Sequence, residues 1–166
     1  MAKGNKLKWC LRQKRGVSLV KPSENLADAY LAKSREALGV MRTLEEKSYS
    51  WAISSCYYAM YYSVYAILMR MGIKSEIHSC TIELMRSVLS DIYDTSDVEV
   101  MQRSFECRIE NQYYTTIVPE SEMHHDLFDH APRFYSRAQE ALISINEDLI
   151  NSSRRLLQDL VGDRTE

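Results

Sequence analysis

Glycine and proline are scarce in this chain, five and three in 166 residues, and with them go the turns that a sheet protein needs. No Asn-Gly or Asp-Gly pair separates two alternating apolar runs, so a protein built from β-hairpins is excluded by its own turn chemistry. Cysteine is sparse as well. Cys10, Cys56, Cys80 and Cys107 form no C-x-x-C pair, and three of them lie in helical patterns. Free buried thiols in a cytosolic protein are therefore expected rather than disulfides. The N-terminus lacks the apolar stretch of a signal peptide. The longest apolar stretch, about residues 51–71, is interrupted by serines and tyrosines and closes on Arg70. That argues against a membrane span and for a cytoplasmic protein. A large excess of one charge is missing too: the net charge is −2, which gives the whole molecule no field to attract nucleic acid.

The charge is unevenly placed, however. Residues 1–22 carry Lys3, Lys6, Lys8, Arg12, Lys14, Arg15 and Lys21, seven of the 21 basic residues and none of the 23 acids, leaving a net of −9 in residues 23–166. The pattern is a basic N-terminal arm, partly disordered for want of periodic apolar positions, on an acidic body. Trp9 among these cations suits an arm that binds RNA or an acidic partner surface. A chain of this length forms one domain that buries roughly 70% of its unfolded surface.

Helical periodicity dominates the body. A first helix begins after Ser23, an N-cap candidate, and carries Leu26, Ala29, Tyr30, Lys33, Ala37, Met41 and Leu44 at three- and four-residue spacing. The second helix, about 48–71, is a tyrosine block ended by Gly72. It holds Tyr57, Tyr58, Tyr61, Tyr62 and Tyr65, five of the eleven tyrosines, with Ser54, Ser55, Ala59, Ser63 and Ala66 between the rings. A helix apolar or aromatic on nearly all sides belongs in the centre of a bundle or between subunits. Because residues 50–69 contain no cation, the block alone gives no support to base stacking. A third helix runs over about 75–91 and a fourth over about 97–114, with Met101, Phe105 and Ile109 inward. Thr115-Thr116-Ile117-Val118-Pro119 stops the fourth. A fifth starts near Asp126 and continues to about 160. Short connections give an all-α, up-and-down bundle of four to five antiparallel helices.

Several segments then fall into a familiar order. Asn25–Tyr30 opens the first helix, and Ser50–Tyr61 contains Tyr57-Tyr58-Ala59. Gly72 and His78 open the third helix, Arg108-Ile109-Glu110-Asn111-Gln112-Tyr113 forms an Arg-x4-Tyr motif, and the Ala131–Leu149 stripe closes the chain. Over roughly residues 23–150 the chain resembles small archaeal and bacterial proteins of the HEPN superfamily, and the basic leader resembles that of archaeal members. The resemblance implies a helical bundle, a homodimer, and a toxin-like role beside a nucleotidyltransferase partner in a two-component, toxin-antitoxin system. Ribonuclease members carry an Arg-x4-6-His motif, paired in a dimer cleft that cleaves RNA without a metal. No cofactor is implied.

Such chemistry needs a cation for the crowded phosphate and a group that moves protons. Arg108 supplies the first with its planar fork. The histidine slot holds Tyr113 instead, whose phenol, with a pKa near ~10, is a poor base at neutral pH. On an ideal helix Arg108 and Tyr113 lie about 140° apart, while Gln112 shares the face of Arg108. The pair therefore converges only if the helix frays near Tyr114 or if a dimer assembles the site. The catalytic candidates are Arg108 and Tyr113. The nucleotide- or RNA-binding candidates are Arg108, Gln112, His78, Tyr57 and Tyr58. Tyr114 is the candidate target of nucleotide transfer by the partner, although the family's modified position falls on Thr115. His124, His125, Asp126, Asp129 and His130 match no zinc spacing and are read as a polar loop and helix start. Three functions follow: a toxin-like partner of a nucleotidyltransferase binding RNA or nucleotide phosphate, an active metal-independent endoribonuclease, or a non-catalytic nucleotide- or protein-binding module.

Overall fold

The structure, a computed structural model, describes residues 3–113 and 125–162. Tyr114, the Thr115–Pro119 stop, the following polar loop and His124 lie outside the described residues. Among the described residues seven helices and two short strands form a bundle around one central helix.

That central helix is α3, Tyr49–Met71, and 16 of its 23 residues are buried. It packs chiefly against α2 (Glu24–Leu44), α6 (His125–Ser144) and α5 (Thr95–Tyr113). Small side chains set the α2–α3 approach. The buried Ser34 hydroxyl donates to the Ala59 carbonyl at 2.8 Å and lies 2.8 Å from the Ser63 hydroxyl, so two polar side chains are satisfied inside an otherwise apolar seam. The buried phenols find partners as well: the Tyr65 oxygen accepts from the Ser75 amide at 3.3 Å, and Tyr93 donates to the Phe134 carbonyl at 3.4 Å.

The helix ends follow local chemistry. Ser23 caps α2 by accepting from the Leu26 amide. Asp94 and Asp97 exchange side chain-to-amide bonds at 3.0 Å across the first turn of α5, an Asp-Asp version of a capping box. α3 stops at Gly72, whose φ of 69° is the left-handed cap that glycine takes without strain.

Three expectations are corrected. A small antiparallel pair does form: β1 (Val17–Leu19) lies beside β2 (Ile73–Ser75), with Ser18 opposite Lys74. Neither strand has the alternation or turn signals of a hairpin, because the two meet across the whole of α2 and α3 rather than through a tight turn. The fifth helix is two, α6 and α7 (Glu147–Gly162), broken at Ile145-Asn146, where the Asn146 side chain accepts from the Leu149 amide and starts a new helix. Two of the four thiols are bridged: Cys10 and Cys80 form a disulfide with Cα atoms 5.7 Å apart. The expectation of free thiols fails there because α1 (Lys3–Arg12) packs on α4 (His78–Ser87), which sequence spacing does not reveal. Cys56 and Cys107 remain buried thiols.

Within the basic arm, α1 and β1 are joined by a turn over residues 13–16. Leu7, Cys10 and Val17 enter the core, and the Glu76 amide donates to the carbonyls of Arg15 and Gly16. No described helix is long and apolar enough to cross a membrane.

Candidate functional site

The wet side of α3 carries Trp51, Ser55, Tyr58 and Tyr62, at spacings of three and four, and none of the four is fully buried. Tyr57, Tyr61 and Tyr65 turn inward and are buried. α5 crosses this helix so that Arg108 reaches the boundary between the two sets. Its guanidinium carbon lies 5.2 Å from the Tyr57 ring centre, 5.5 Å from that of Tyr58 and 5.7 Å from that of Phe105, within cation–π range of all three. One terminal nitrogen donates to the Tyr58 hydroxyl at 3.2 Å and to the Gln112 side-chain oxygen at 3.1 Å. Gln112 in turn donates to the Ser54 hydroxyl at 3.5 Å. The buried Nε has no acceptor, and no carboxylate pairs with Arg108, among the described residues.

Opposite Arg108, the first residue of α4 brings in His78. Its Nδ1 shares a hydrogen bond with the Tyr57 hydroxyl, and its ring lies 4.6 Å from Tyr61 and stacks on Phe105 at 5.7 Å. Burial, then the positive charge of Arg108, lower the His78 pKa. Burial drives the Tyr57 phenol far above its ordinary range. At neutral pH the site therefore holds a fixed cation, a protonated phenol and a neutral imidazole.

Of the sequence candidates, Arg108, Gln112, His78, Tyr57 and Tyr58 gather in this one cluster. Tyr113 does not join it. The side chain is 72% exposed and lines an adjoining groove of about 380 Å³ with Ser50, Trp51, Ser54, Asn111 and Gln112. α5 stays helical through Tyr113, so the five-residue spacing points the two side chains in different directions, as it must on a regular helix. Within one chain, the Arg108 and Tyr113 side chains are therefore directed apart. Asp126 is ion-paired with Arg103, and His130 is half-buried on α6.

Three participants were not readable as such. Phe105, expected as core, is a wall shared by Arg108 and His78. Ser54 anchors Gln112. Lys33 of α2 sits with its ammonium 5.6 Å from the Tyr62 ring and 5.7 Å from that of Tyr30. Only the Tyr30–Lys33 spacing, one helical turn, hinted at the last.

None of the curated proteins matches the chain. A family model described as the HEPN domain matches residues 27–142, from early α2 to late α6, and so takes in Tyr57, Tyr58, His78, Arg108 and Gln112. With its all-α bundle and a match over well more than half its length, the chain belongs to the HEPN family.

Proposed function

We propose that this HEPN-domain protein binds a phosphate of RNA or of a nucleotide at Arg108, in a cleft that a second copy of the chain completes. In this reading it is the toxin-like member of a pair with a nucleotidyltransferase-type protein. The observation that carries the reading is the state of Arg108. It is half-buried against three rings, bonded to a phenol and an amide, and paired with no carboxylate among the described residues. An arginine oriented by neutral groups keeps its charge and part of its fork for an incoming anion. The exposed Trp51 and Val40, 63% and 41% accessible, favour a partner copy beside this face.

Arg108→Ala is expected to weaken binding of a labelled RNA by about tenfold or more, as loss of a charge-assisted contact does. Unchanged affinity would overturn the site. The pairing is tested by co-expression with the product of a neighbouring nucleotidyltransferase gene: the two should elute together from a sizing column, and separate elution counts against the partnership. Nucleotide transfer to Tyr114 would appear as an added nucleotide mass that Tyr114→Phe abolishes.

His78 favours a second reading, metal-independent RNA cleavage. The helix that bears Arg108 has no histidine at the motif position, but α4 delivers a neutral imidazole to the same cluster. In such a reaction the 2′-oxygen bonds to phosphorus while the bond from phosphorus to the 5′-oxygen breaks. His78 takes the 2′-hydroxyl proton, Arg108 stabilises the phosphorane charge, and the leaving 5′-oxygen takes a proton from water. Structured RNA in chelator should be cut by the wild type. Cutting that persists in Arg108→Ala, or in His78→Gln, would overturn this reading.

A further inference from the structure

His78 is held from both sides by one segment, and that segment lies outside the domain that defines the family. Two residues before it, the Glu76 amide donates to the carbonyls of Arg15 and Gly16. Two residues after it, Cys80 is bonded to Cys10. The first turn of α4 has little hold of its own, since its N-cap is Ile77, which offers no side-chain acceptor. The matched domain begins at residue 27, so Cys10 belongs to an added arm and Cys80 to the bundle. The arm is one unit. A Cβ at Gly16 would collide with the Cys10 carbonyl, so the turn folds tightly back on α1 and carries β1 with it. Its grip on the bundle is small: Leu7, Cys10 and Val17 are its buried apolar side chains, and the β1–β2 pair is three residues long.

We propose that the Cys10–Cys80 bond is a redox latch on His78. Reduction unfastens the arm, and the first turn of α4 then loosens from Tyr57 and Phe105. The remainder of α4 stays in place, because Ile82, Leu84 and Met85 are fully buried. The reductant is a dithiol. Both cysteines are buried, so exchange waits for α1 to lift, an opening open to elements with few buried contacts. A thiolate of the reductant then bonds to the Cys10 sulfur, and the Cys80 sulfur leaves with the electron pair of the broken bond. The second sulfur of the reductant closes on the first and expels Cys10. Two electrons pass to the protein, the reductant becomes a disulfide, and the two protons it gives up end on Cys10 and Cys80. A small disulfide runs the same steps in reverse. As control over an anion site the latch rests on the Arg108 reading; its hold on His78 does not.

The test follows the full chain before and after dithiothreitol, by hydrogen exchange and by the His78 ring signals, assigned with His78→Gln. Denatured without reductant, the chain should offer two reactive thiols, Cys56 and Cys107, and four after reduction. Reduction should speed exchange about tenfold or more over residues 3–19 and 76–82. It should also move the ring signals away from the positions that stacking on Phe105 gives them. Cys10→Ser should do the same without reductant and gain nothing from it. If that variant fails to fold, the reversible change in wild type decides. Four thiols before reduction would overturn the latch. So would faster exchange confined to residues 3–19 with His78 unmoved, which makes the bond a staple. Exchange rising through the whole chain together would overturn it as well, since the bond is then a condition of folding. Uridine monophosphate separates the latch from the site. No binding in either redox state, with His78 moving as expected, sinks the phosphate reading and upholds the latch; binding in both states with His78 unmoved sinks the latch alone.

Discussion

Arg108 and His78 differ in how they respond to pH, and that difference can be measured. The guanidinium keeps its charge throughout the range in which proteins stay folded. The His78 imidazole is held below its ordinary 6.5 by burial and by Arg108, so the unfolded chain binds this proton more readily than the folded one. His78 therefore lowers stability as pH falls from above 6.5 through that value toward its folded pKa, and costs nothing further below it. Thermal midpoints measured across that window should fall with acid, and His78→Gln should flatten the fall; an unchanged slope would show that His78 does not titrate against Arg108. Arg108→Lys is expected to fail as a replacement, with phosphate affinity reduced about tenfold. A single ammonium cannot hold Tyr58 and Gln112 and also stay within reach of three rings, and wild-type binding by this variant would show that charge alone suffices. Most of these residues were legible as candidates from their types and spacing. What was not legible was the failure of Arg108 and Tyr113 to meet, since it depends on α5 remaining helical to Tyr113.

Among the elements, the α3 terminus at Gly72 is the joint that sets α4, and with it His78, in place. A Cβ at Gly72 would overlap the Arg154 guanidinium and the Val20 carbonyl. The same Arg154 donates at 2.7 Å to the carbonyls of Val20 and Gly72, so α7 closes the end of α3 with a cation where the helix dipole is negative. Gly72→Ala combines a left-handed backbone with this overlap and should cost about 2 kcal/mol or more, read by chemical denaturation. A cost below about 0.5 kcal/mol would mean that the joint gives way easily. The glycine stop was visible in the sequence. Its closure by Arg154, more than 80 residues later, was not, because nothing local pairs a helix end with a distant cation.

For the whole molecule, the Cys10–Cys80 disulfide ties the basic first helix to α4 across 70 residues of chain. Closing a loop of that length removes unfolded-state entropy equivalent to ~4 kcal/mol. Reduction, or Cys10→Ser, should lower the denaturation midpoint accordingly, with hydrogen exchange rising first in α1 and β1. Equal midpoints with and without reductant would show that the bridge adds nothing to packing. Helical class, central tyrosine helix and helix order were readable because each rests on local periodicity. The bridge, the β1–β2 pair and the α6–α7 break were less so. The first two join segments remote in sequence, and the third depends on Asn146 bonding the backbone instead of extending a helix.

The sequence by itself determined the helical class, the central tyrosine helix, the Ser23 cap and the Gly72 stop, and the residue types available for phosphate chemistry, because those follow from spacing and side-chain chemistry within a few turns. Only the tertiary structure decided which of them meet. It set His78 rather than Tyr113 in the cluster with Arg108, and it placed Lys33 and Arg108, from helices on either side, at the ends of a tyrosine pair whose own helix carries no cation before Arg70. Contacts of this kind depend on how helices cross, and crossing is fixed by the packing of the assembled core rather than by any local run of residues.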